Sequence, residues 1–338
     1  MHRDRDWIAQ AHPLTIPAMR ILILLFCALF TGCSVVERVG VKALYRRAPL
    51  PEAQIARDLP YVPGSRDPKH CLDLFRPAGK GWPVFIFIHG GSWDSGDKSL
   101  TAGGEDIYGN IGRFYAARGI GVAVINYRLL PGVTWREQLR DATRALAWVQ
   151  KSIAAYGGDP ARVFIGGHSA GAQLAANVAL RPRHGLPLAG AIGISGAGYD
   201  MTDAETYRLG NLPAFYARRF AENGANPDWR RTASPATYAT RHAPPFLVLY
   251  AEGDSAPLRR QSQHFHTLLD ARRVKNHLIA VPGESHTRMV LALTRADKLP
   301  AAEIAKFVQS KAPATVAPEG ISRHPLSPPR HSAECHAL

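Results

Sequence analysis

The residues best suited to covalent chemistry lie in the pentapeptide 167–171, Gly-His-Ser-Ala-Gly, which fits the pattern G-x-S-x-G. A short apolar run precedes it, and a helical run of small residues follows it. A strand, a sharp turn and a helix in this order can expose a serine hydroxyl, because small flanking residues let the turn close. The N-terminus of the following helix favours developing negative charge. The pattern therefore predicts Ser169 as a nucleophile, whereas Ser195, which lacks the last glycine, indicates only the end of a strand.

A serine hydroxyl is a weak nucleophile until a base takes its proton. His286 lies in the loop 282–286, directly after the last predicted strand, and it is the predicted base. Three other histidines compete for the role. His264 and His266 fall in a helical pattern, and His277 precedes the last predicted strand, so none of the three occupies a loop that follows a strand.

The base needs a carboxylate that holds its tautomer and stabilises the imidazolium. The apolar run 246–250 leads into Ala-Glu-Gly-Asp at 251–254. Asp254 follows a glycine and lies further beyond the predicted strand, so it is the predicted acid. Glu252, two residues earlier in the same turn, remains the alternative.

Attack on a carbonyl also requires N–H donors for the oxyanion, each of which contributes about 10²–10³ in rate. One predicted donor is the backbone N–H of Ala170, the residue next to the nucleophile. The others are Gly90 and Gly91, in the loop His-Gly-Gly-Ser-Trp at 89–93 that follows the apolar run 84–88. Glycines let a backbone amide approach a substrate closely.

The elements around these residues alternate between strands and helices. Short, nearly continuous apolar runs are typical of parallel strands that are buried on both faces. Such runs occupy 84–88, 122–127, 163–166, 191–194, 246–250 and 278–281. Apolar positions at helical spacing fill 135–156, which ends at a glycine-proline terminator. We therefore predict an α/β fold with a mostly parallel central sheet, helices on both faces, and antiparallel edge strands near 55–62 and 71–75.

One stretch, residues 199–245, shows no strand pattern and contains several aromatic residues among charges. An insertion of this length is typical of a lid or binding element, so we predict a helical cap there. The chain of 338 residues is long enough for one large α/β domain plus this insertion. Its formal net charge of +14 comes mostly from scattered arginines, and no nucleic-acid motif is present, so we expect no nucleic-acid partner.

The N-terminus predicts export. Residues 21–30 form an apolar run that is short for a membrane span, which needs about 20 apolar residues. The sequence Phe-Thr-Gly-Cys at 30–33 resembles a bacterial lipobox, although leucine is usual where Phe30 stands. The resemblance implies a lipidated Cys33, and Ser34 after it implies the outer membrane. Translation could begin at Met1 or Met19.

The predicted divisions are a leader and signal at 1–33, a linker at 34–51, an α/β domain at 52–311 and a disordered tail at 312–338. Two cysteines outside the signal, Cys71 and Cys335, are too few and too far apart for a disulfide framework. Whether these two pair with each other stays open.

Three motifs together resemble the esterase/lipase branch of the α/β-hydrolase superfamily. They are 89–93 (His-Gly-Gly-Ser-Trp), 156–160 (Tyr-Gly-Gly-Asp-Pro) and 167–172 (Gly-His-Ser-Ala-Gly-Ala). Bacterial carboxylesterases such as feruloyl and acetyl-xylan esterases look most similar, with kynurenine formamidases and prenylcysteine methylesterases nearby. The resemblance covers about residues 57–309 and implies the α/β-hydrolase fold, no metal and no organic cofactor.

In this resemblance Ser169, Asp254 and His286 match the family's catalytic triad. Ser92 stands where a third glycine is frequent, so the second oxyanion donor stays open among Gly90, Gly91 and Ser92. The implied activity is hydrolysis of a small-molecule or glycan-linked carboxylic ester through an acyl-enzyme. Amide or formamide cleavage by the same triad is an alternative, and a non-catalytic envelope binding module is a third. The sequence leaves the oligomeric state open.

Overall fold

The computed structural model describes residues 41, 44–181, 186–210 and 212–310. Residues 46–101 and 106–310 belong to one compact unit, and residues 102–105 group with the N-terminal segment that ends at Tyr45. The predicted signal, its Cys33 and the predicted tail at 312–338 lie outside the described residues. Cys71 is buried and disulfide-bonded, and the other three cysteines of the chain lie outside the described residues.

An eight-stranded sheet forms the centre of the larger unit. Its strands, in spatial order, are β1, β2, β6, β3, β7, β8, β9 and β10. The bounds are β1 Ile55–Pro60, β2 Cys71–Phe75, β3 Trp82–Ile88, β6 Gly121–Ile125, β7 Gly158–His168, β8 Gly190–Ile194, β9 Phe246–Ala251 and β10 Asn276–Val281. Two-residue strands β4 (Thr101–Ala102) and β5 (Glu105–Asp106) pair separately.

Every neighbouring pair from β6 to β10 is parallel, whereas β1 and β2 pair antiparallel at one edge, as the sequence predicts. All residues of β3, β6 and β8 are buried, which explains why these strands read as continuous apolar runs. The structure corrects several predicted bounds by one or two residues, and the largest change is at β7. β7 begins at Gly158 rather than at 163, because Gly158 pairs with Trp82 of β3.

The helices are α1 Ile107–Ala116, α2 Trp135–Ser152, α3 Ala170–Leu180, α4 Ala204–Arg208, α5 Pro213–Phe220, α6 Trp229–Ala233, α7 Ala256–Ala271, α8 His286–Ala292 and α9 Leu299–Gln309. Thr134 and Glu137 form a capping box that starts α2. The predicted helix 135–156 is α2 followed by a 3₁₀ turn at Ile153–Tyr156, which ends where Gly157 turns left-handed at φ 100°.

Successive residues of β3 point to opposite faces of the sheet. On one face, Phe85 and Phe87 contact Tyr115 and Tyr108 of α1 at ring-centroid distances of 6.1 and 5.4 Å. On the other face, Val84, Ile86 and Ile88 share a core with apolar residues of α2 and α3. Helices therefore cover both faces of β3.

The insertion 199–245 contains no strand among its described residues, in agreement with its sequence pattern. It holds α4, α5 and α6 together with 3₁₀ turns at Glu222–Gly224 and Pro235–Tyr238. Phe220 of α5 is fully buried and its ring lies 4.9 Å from that of Trp93, so the insertion packs onto the loop after β3.

Candidate active site

Ser169 occupies a one-residue turn between β7, which ends at His168, and α3, which begins at Ala170. Its backbone has a positive φ, with φ 56° and ψ −119°, outside the left-handed helical region. A non-glycine residue in such a conformation costs about 1–3 kcal/mol and persists only where its surroundings hold it. The Ser169 N–H donates to the Ile194 carbonyl at 2.9 Å, which anchors the turn on β8. The serine is partly exposed, although its neighbours in the turn are buried.

The two glycines of the pentapeptide are required by close backbone packing. A Cβ on Gly167 would lie 2.5 Å from the Ile88 carbonyl oxygen, and one on Gly171 would lie 2.2 Å from the same atom. Both contacts are with backbone, so no side-chain rotation could relieve them. The absence of these two Cβ atoms therefore lets the first turn of α3 approach the end of β3.

The loop after β3 lies against the turn that carries Ser169. A Cβ on Gly90 would lie 3.3 Å from Ser169 Cβ, so two of the predicted oxyanion donors, Gly90 and Gly91, belong to a loop that approaches the serine. The third predicted donor, Ala170, is the first residue of α3. An N–H at this position has no partner within its helix and lies at the positive end of the helix dipole.

Backbone strain is concentrated in this loop as well. Gly91 has φ 116°, and the next two residues are left-handed although they are not glycine, with φ 52° at Ser92 and 65° at Trp93. At about 1–3 kcal/mol for each non-glycine residue, the loop stores strain that its contacts must offset.

Asp254 and His286 form a close pair. His286 Nδ1 lies 2.8 Å from Asp254 Oδ1, and the carboxylate accepts, so Nδ1 carries the proton and Nε2 is the nitrogen that can act as a base. The Asp254 side chain is fully buried, whereas 32% of the His286 side chain is exposed. The sequence predicted this pair, and the structure brings it together from the ends of β9 and β10.

The charge on Asp254 is stabilised in place. Burial raises the pKa of its carboxyl, but hydrogen bonds from the side chains of His286 and Ser195 and from the Ala251 N–H lower it further, and the pKa ends below its usual value. The carboxylate is therefore ionised at neutral pH, which is the state that a partner of imidazolium requires.

Two residues near the pair carry roles that the sequence did not indicate. Ser195 is fully buried, lies just beyond β8 and bonds Asp254, although its motif indicated only a strand end. His168 Nε2 donates to the His286 carbonyl oxygen at 3.0 Å, and the two rings are 4.6 Å apart. His168 therefore connects the turn at Ser169 directly to the loop that carries His286, the predicted base.

Burial lowers the pKa of His168 to about 3, and the nearby His286 lowers it in the same direction. His89 is also fully buried. Its ring stacks on Tyr127 with centroids 4.4 Å apart, and burial lowers its pKa to about 4. Both imidazoles are neutral at pH 7, so neither adds positive charge beside the site.

The competing residues lie elsewhere. Glu252 is exposed, and the contact with His286 is made by Asp254. His264 pairs with Asp200 at 3.1 Å, and His277 is exposed on β10. Within the ranges that the structure describes, no three His, Cys, Asp or Glu side chains cluster in a way that could hold a metal ion. None of the helices described there is long and apolar enough to span a membrane.

Comparison with known families agrees with this architecture. A family model described as the alpha/beta hydrolase fold matches residues 85–290, which span the loop after β3, Ser169, Asp254 and His286. This chain belongs to the α/β-hydrolase family. The fold predicted from the sequence is confirmed, including its mostly parallel sheet.

Curated relatives within the α/β-hydrolases carry esterase names. The chain is 33% identical over 268 residues to esterase LipQ of Mycobacterium tuberculosis, covering 74% of this chain and 61% of that protein. It is 36% identical over 166 residues to a probable isoprenylcysteine alpha-carbonyl methylesterase of Oryza sativa, covering 48% of this chain and 34% of the relative. The chain thus spans less than two thirds of the length of these relatives.

Solved α/β-hydrolase structures superpose well. Inhibited esterase B from Lactobacillus rhamnosis matches with a TM-score of 0.66 at 23% identity, covering 86% of this chain and 96% of that one. An esterase from the archaeon Pyrobaculum calidifontis matches with a TM-score of 0.64 at 23% identity, covering 89% and 99%. At these identities the likeness shows the shared fold.

Proposed function

We propose that this chain is a carboxylic-ester hydrolase that works through an acyl-enzyme. The observation that carries the proposal is the pair of buried Asp254 and partly exposed His286, which lies beside a strained turn that exposes Ser169. The esterase names of the curated relatives support the same reaction class.

In the proposed mechanism, His286 Nε2 takes the proton of the Ser169 hydroxyl as its oxygen attacks the ester carbonyl. Asp254 accepts the Nδ1–H bond and stabilises the imidazolium. The oxyanion is stabilised by the N–H of Ala170 and by an N–H of Gly90 or Gly91. His286 then protonates the departing alcohol. Water, activated by the same imidazole, releases the acid from Ser169.

The test is a set of p-nitrophenyl esters of rising acyl length, run on the wild type, Ser169→Ala and the control Ser99→Ala. We expect Ser169→Ala to abolish turnover with an unchanged circular dichroism spectrum, because the nucleophile is lost without a change in packing. Ser99 is exposed and outside the site, so its variant should match the wild type. A fluorophosphonate probe should label Ser169 alone. Near wild-type turnover in Ser169→Ala would contradict the proposal.

The same residues could cleave amides or formamides. The relatives' names favour esters, and p-nitroanilides and formanilides tested beside the esters decide between the two. The proposed substrate is a small-molecule or glycan-linked ester, so acetylated and feruloylated glycans belong in the same set. Binding of such a glycan without turnover or probe labelling would favour the third alternative, a binding module.

We also propose that the insertion 199–245 acts as the cap over the substrate, and that the mature protein is a lipoprotein anchored through Cys33. Lipoprotein processing attaches several acyl chains, and stable anchoring requires more than one chain. Mass spectrometry of the native N-terminus tests the anchor. An unmodified Cys33 would contradict it without affecting the proposed triad.

A further inference from the structure

The insertion 199–245 contributes one charged side chain to the loop after β3. Arg219 of α5 donates from Nε to the Ser92 carbonyl oxygen at 2.8 Å, and its Nη2 bonds the Asp94 carboxylate. Nη1 donates to the Phe215 carbonyl oxygen at 3.1 Å, and the guanidinium lies 3.8 Å from the centroid of the Phe215 ring. All three guanidinium nitrogens are therefore engaged, and only 13% of the side chain is exposed.

The contact falls on the strained part of the loop. Ser92, whose carbonyl Arg219 binds, is the first of the two left-handed residues that are not glycine. A carbonyl that accepts a fixed donor holds the orientation of its whole peptide plane, because the peptide bond is planar. The bond from Arg219 therefore fixes the peptide plane between Ser92 and Trp93.

Neighbouring peptide planes of the loop are fixed by bonds from the loop itself. The Gly91 carbonyl oxygen accepts from Asp94 N at 3.1 Å, from Ser95 N at 2.9 Å and from Ser95 Oγ at 2.8 Å. The Gly90 carbonyl oxygen accepts from His89 Nδ1 at 2.7 Å.

Trp93, the last residue of the loop, is held by side chains of α2 and α3. Its Nε1 donates to Gln173 Oε1 at 3.1 Å, and its carbonyl oxygen accepts from Gln138 Nε2 at 2.7 Å. These bonds leave the Ser92 carbonyl to Arg219, and Arg219 is a residue of the insertion. We call residues 89–93, which include the predicted oxyanion donors Gly90 and Gly91, the donor loop. Its contacts are thus completed by a residue that lies 127 positions later in the chain.

We propose that Arg219 is a positioning residue that holds the donor loop in the geometry required to stabilise the oxyanion. The inference rests on the proposed function and extends it, because the insertion then supports the catalytic donors in addition to covering the substrate. Arg219 acts through the backbone of the loop 89–93, whose predicted donors to the substrate are the N–H groups of Gly90 and Gly91. The fork of the guanidinium is needed because one planar group must bond the Ser92 carbonyl and the Asp94 carboxylate together.

The experiment compares Arg219→Ala and Arg219→Lys with Arg218→Ala. Arg218 lies beside Arg219 on α5 and is exposed, so its variant removes the same charge from the same helix. Because loss of one oxyanion donor lowers kcat by about 10²–10³, a displaced donor loop should lower kcat about 10–100-fold in Arg219→Ala. KM should stay within about threefold, since the donors act mainly in the transition state.

A second readout isolates the oxyanion. A trifluoromethyl ketone forms a tetrahedral adduct with a nucleophilic serine and places its oxyanion on the donors. Its inhibition constant should rise by about the same factor as kcat falls in Arg219→Ala. Kinetics must be normalised to active sites titrated with a fluorophosphonate, so that unfolded protein does not count.

Three kinetic results would contradict either the positioning role of Arg219 or its requirement for a guanidinium. In the first, Arg219→Ala matches Arg218→Ala in both kcat and inhibition constant. In the second, the number of titrated sites falls while kcat per site is unchanged, which would make Arg219 only structural. In the third, Arg219→Lys recovers full activity, which would show that charge alone suffices.

Hydrogen–deuterium exchange separates this proposal from the proposed function. Peptides covering 89–96 should exchange faster in Arg219→Ala than in Arg218→Ala, whether or not the wild type hydrolyses any ester. Unchanged exchange would overturn the positioning role by itself. If the wild type hydrolysed no ester but exchange were still faster in Arg219→Ala, the proposed ester hydrolysis would be contradicted. The role of Arg219 in holding the loop would still be supported.

Discussion

Acidification should destabilise this protein through two buried imidazoles, His89 and His168. In the unfolded chain a histidine has a pKa near 6.5, whereas burial holds the folded pKa at about 4 for His89 and about 3 for His168. At a pH between the folded and the unfolded pKa of a histidine, the unfolded chain binds a proton on that imidazole and the folded protein does not. Stability therefore falls as the pH drops below about 6.5, and the loss stops growing below the folded pKa.

The size of the effect follows from these values. At about pH 5 the solution is about 1.5 pH units below the unfolded pKa and above both folded values, and each unit corresponds to about 1.4 kcal/mol. Each imidazole should therefore lower the free energy of unfolding by about 2 kcal/mol relative to about pH 7.5. Together the two should remove about 4 kcal/mol, a large part of the 5–15 kcal/mol typical of a domain.

Urea unfolding followed by circular dichroism at the two pH values tests the reasoning. The informative variant is His168→Gln, because glutamine does not titrate and its Nε2 can replace the donor to the His286 carbonyl. The difference in unfolding free energy between the two pH values should shrink by about 2 kcal/mol in this variant. The control is His277→Gln, which removes an imidazole that is exposed to water. A pH difference in His168→Gln equal to that of the wild type and the control would refute the argument.

Three further predictions concern the site. Asp254→Asn should lower kcat on a p-nitrophenyl ester by about 10⁴-fold, because the imidazole loses its orienting carboxylate. The control Glu252→Gln changes an exposed side chain, and its kcat should stay close to that of the wild type. The reverse ranking would move the acid to Glu252. Gly171→Ala should destabilise the fold by about 1–3 kcal/mol, measured as a lower Tm, because its Cβ meets the Ile88 carbonyl at 2.2 Å. The control Gly132→Ala, whose nearest atom is 3.4 Å away, should shift Tm far less, and equal shifts would contradict the packing argument. Ser195→Ala should raise the pKa of Asp254 by removing a donor, measured as a higher midpoint of the Asp254 carboxyl shift in an NMR pH titration. An unmoved midpoint would exclude that role.

The order of the strands along the chain was predictable because parallel strands buried on both faces leave continuous apolar runs. The start of β7 was not, because the segment before Val163 is polar and its pairing begins with Trp82, a partner far away in sequence. The positions of Ser169, Asp254 and His286 followed from one rule, that functional loops come directly after strands.

Residues that support the site left no comparable signal. Ser195 follows a strand like many other serines, and its bond to Asp254 depends on how β8 and β9 align. Arg219 is one arginine among the 41 Lys and Arg residues of the chain, and its contact with Ser92 crosses 127 residues. Such roles depend on tertiary distance, which composition and local spacing do not encode.

The distribution of the site over the chain also has a consequence for how the protein folds. The loop after β3, the turn after β7 and the loops after β9 and β10 approach one another only when parallel strands pair, and parallel pairing joins segments that are far apart in sequence. Such non-local contacts form slowly. His286 follows β10, the last strand of the eight-stranded sheet in sequence order, so the pair with Asp254 forms after nearly the whole sheet has been synthesised. During refolding, recovery of activity should therefore lag behind recovery of helix and strand signals, and a nascent chain that ends before β10 should be inactive however much of its core has formed.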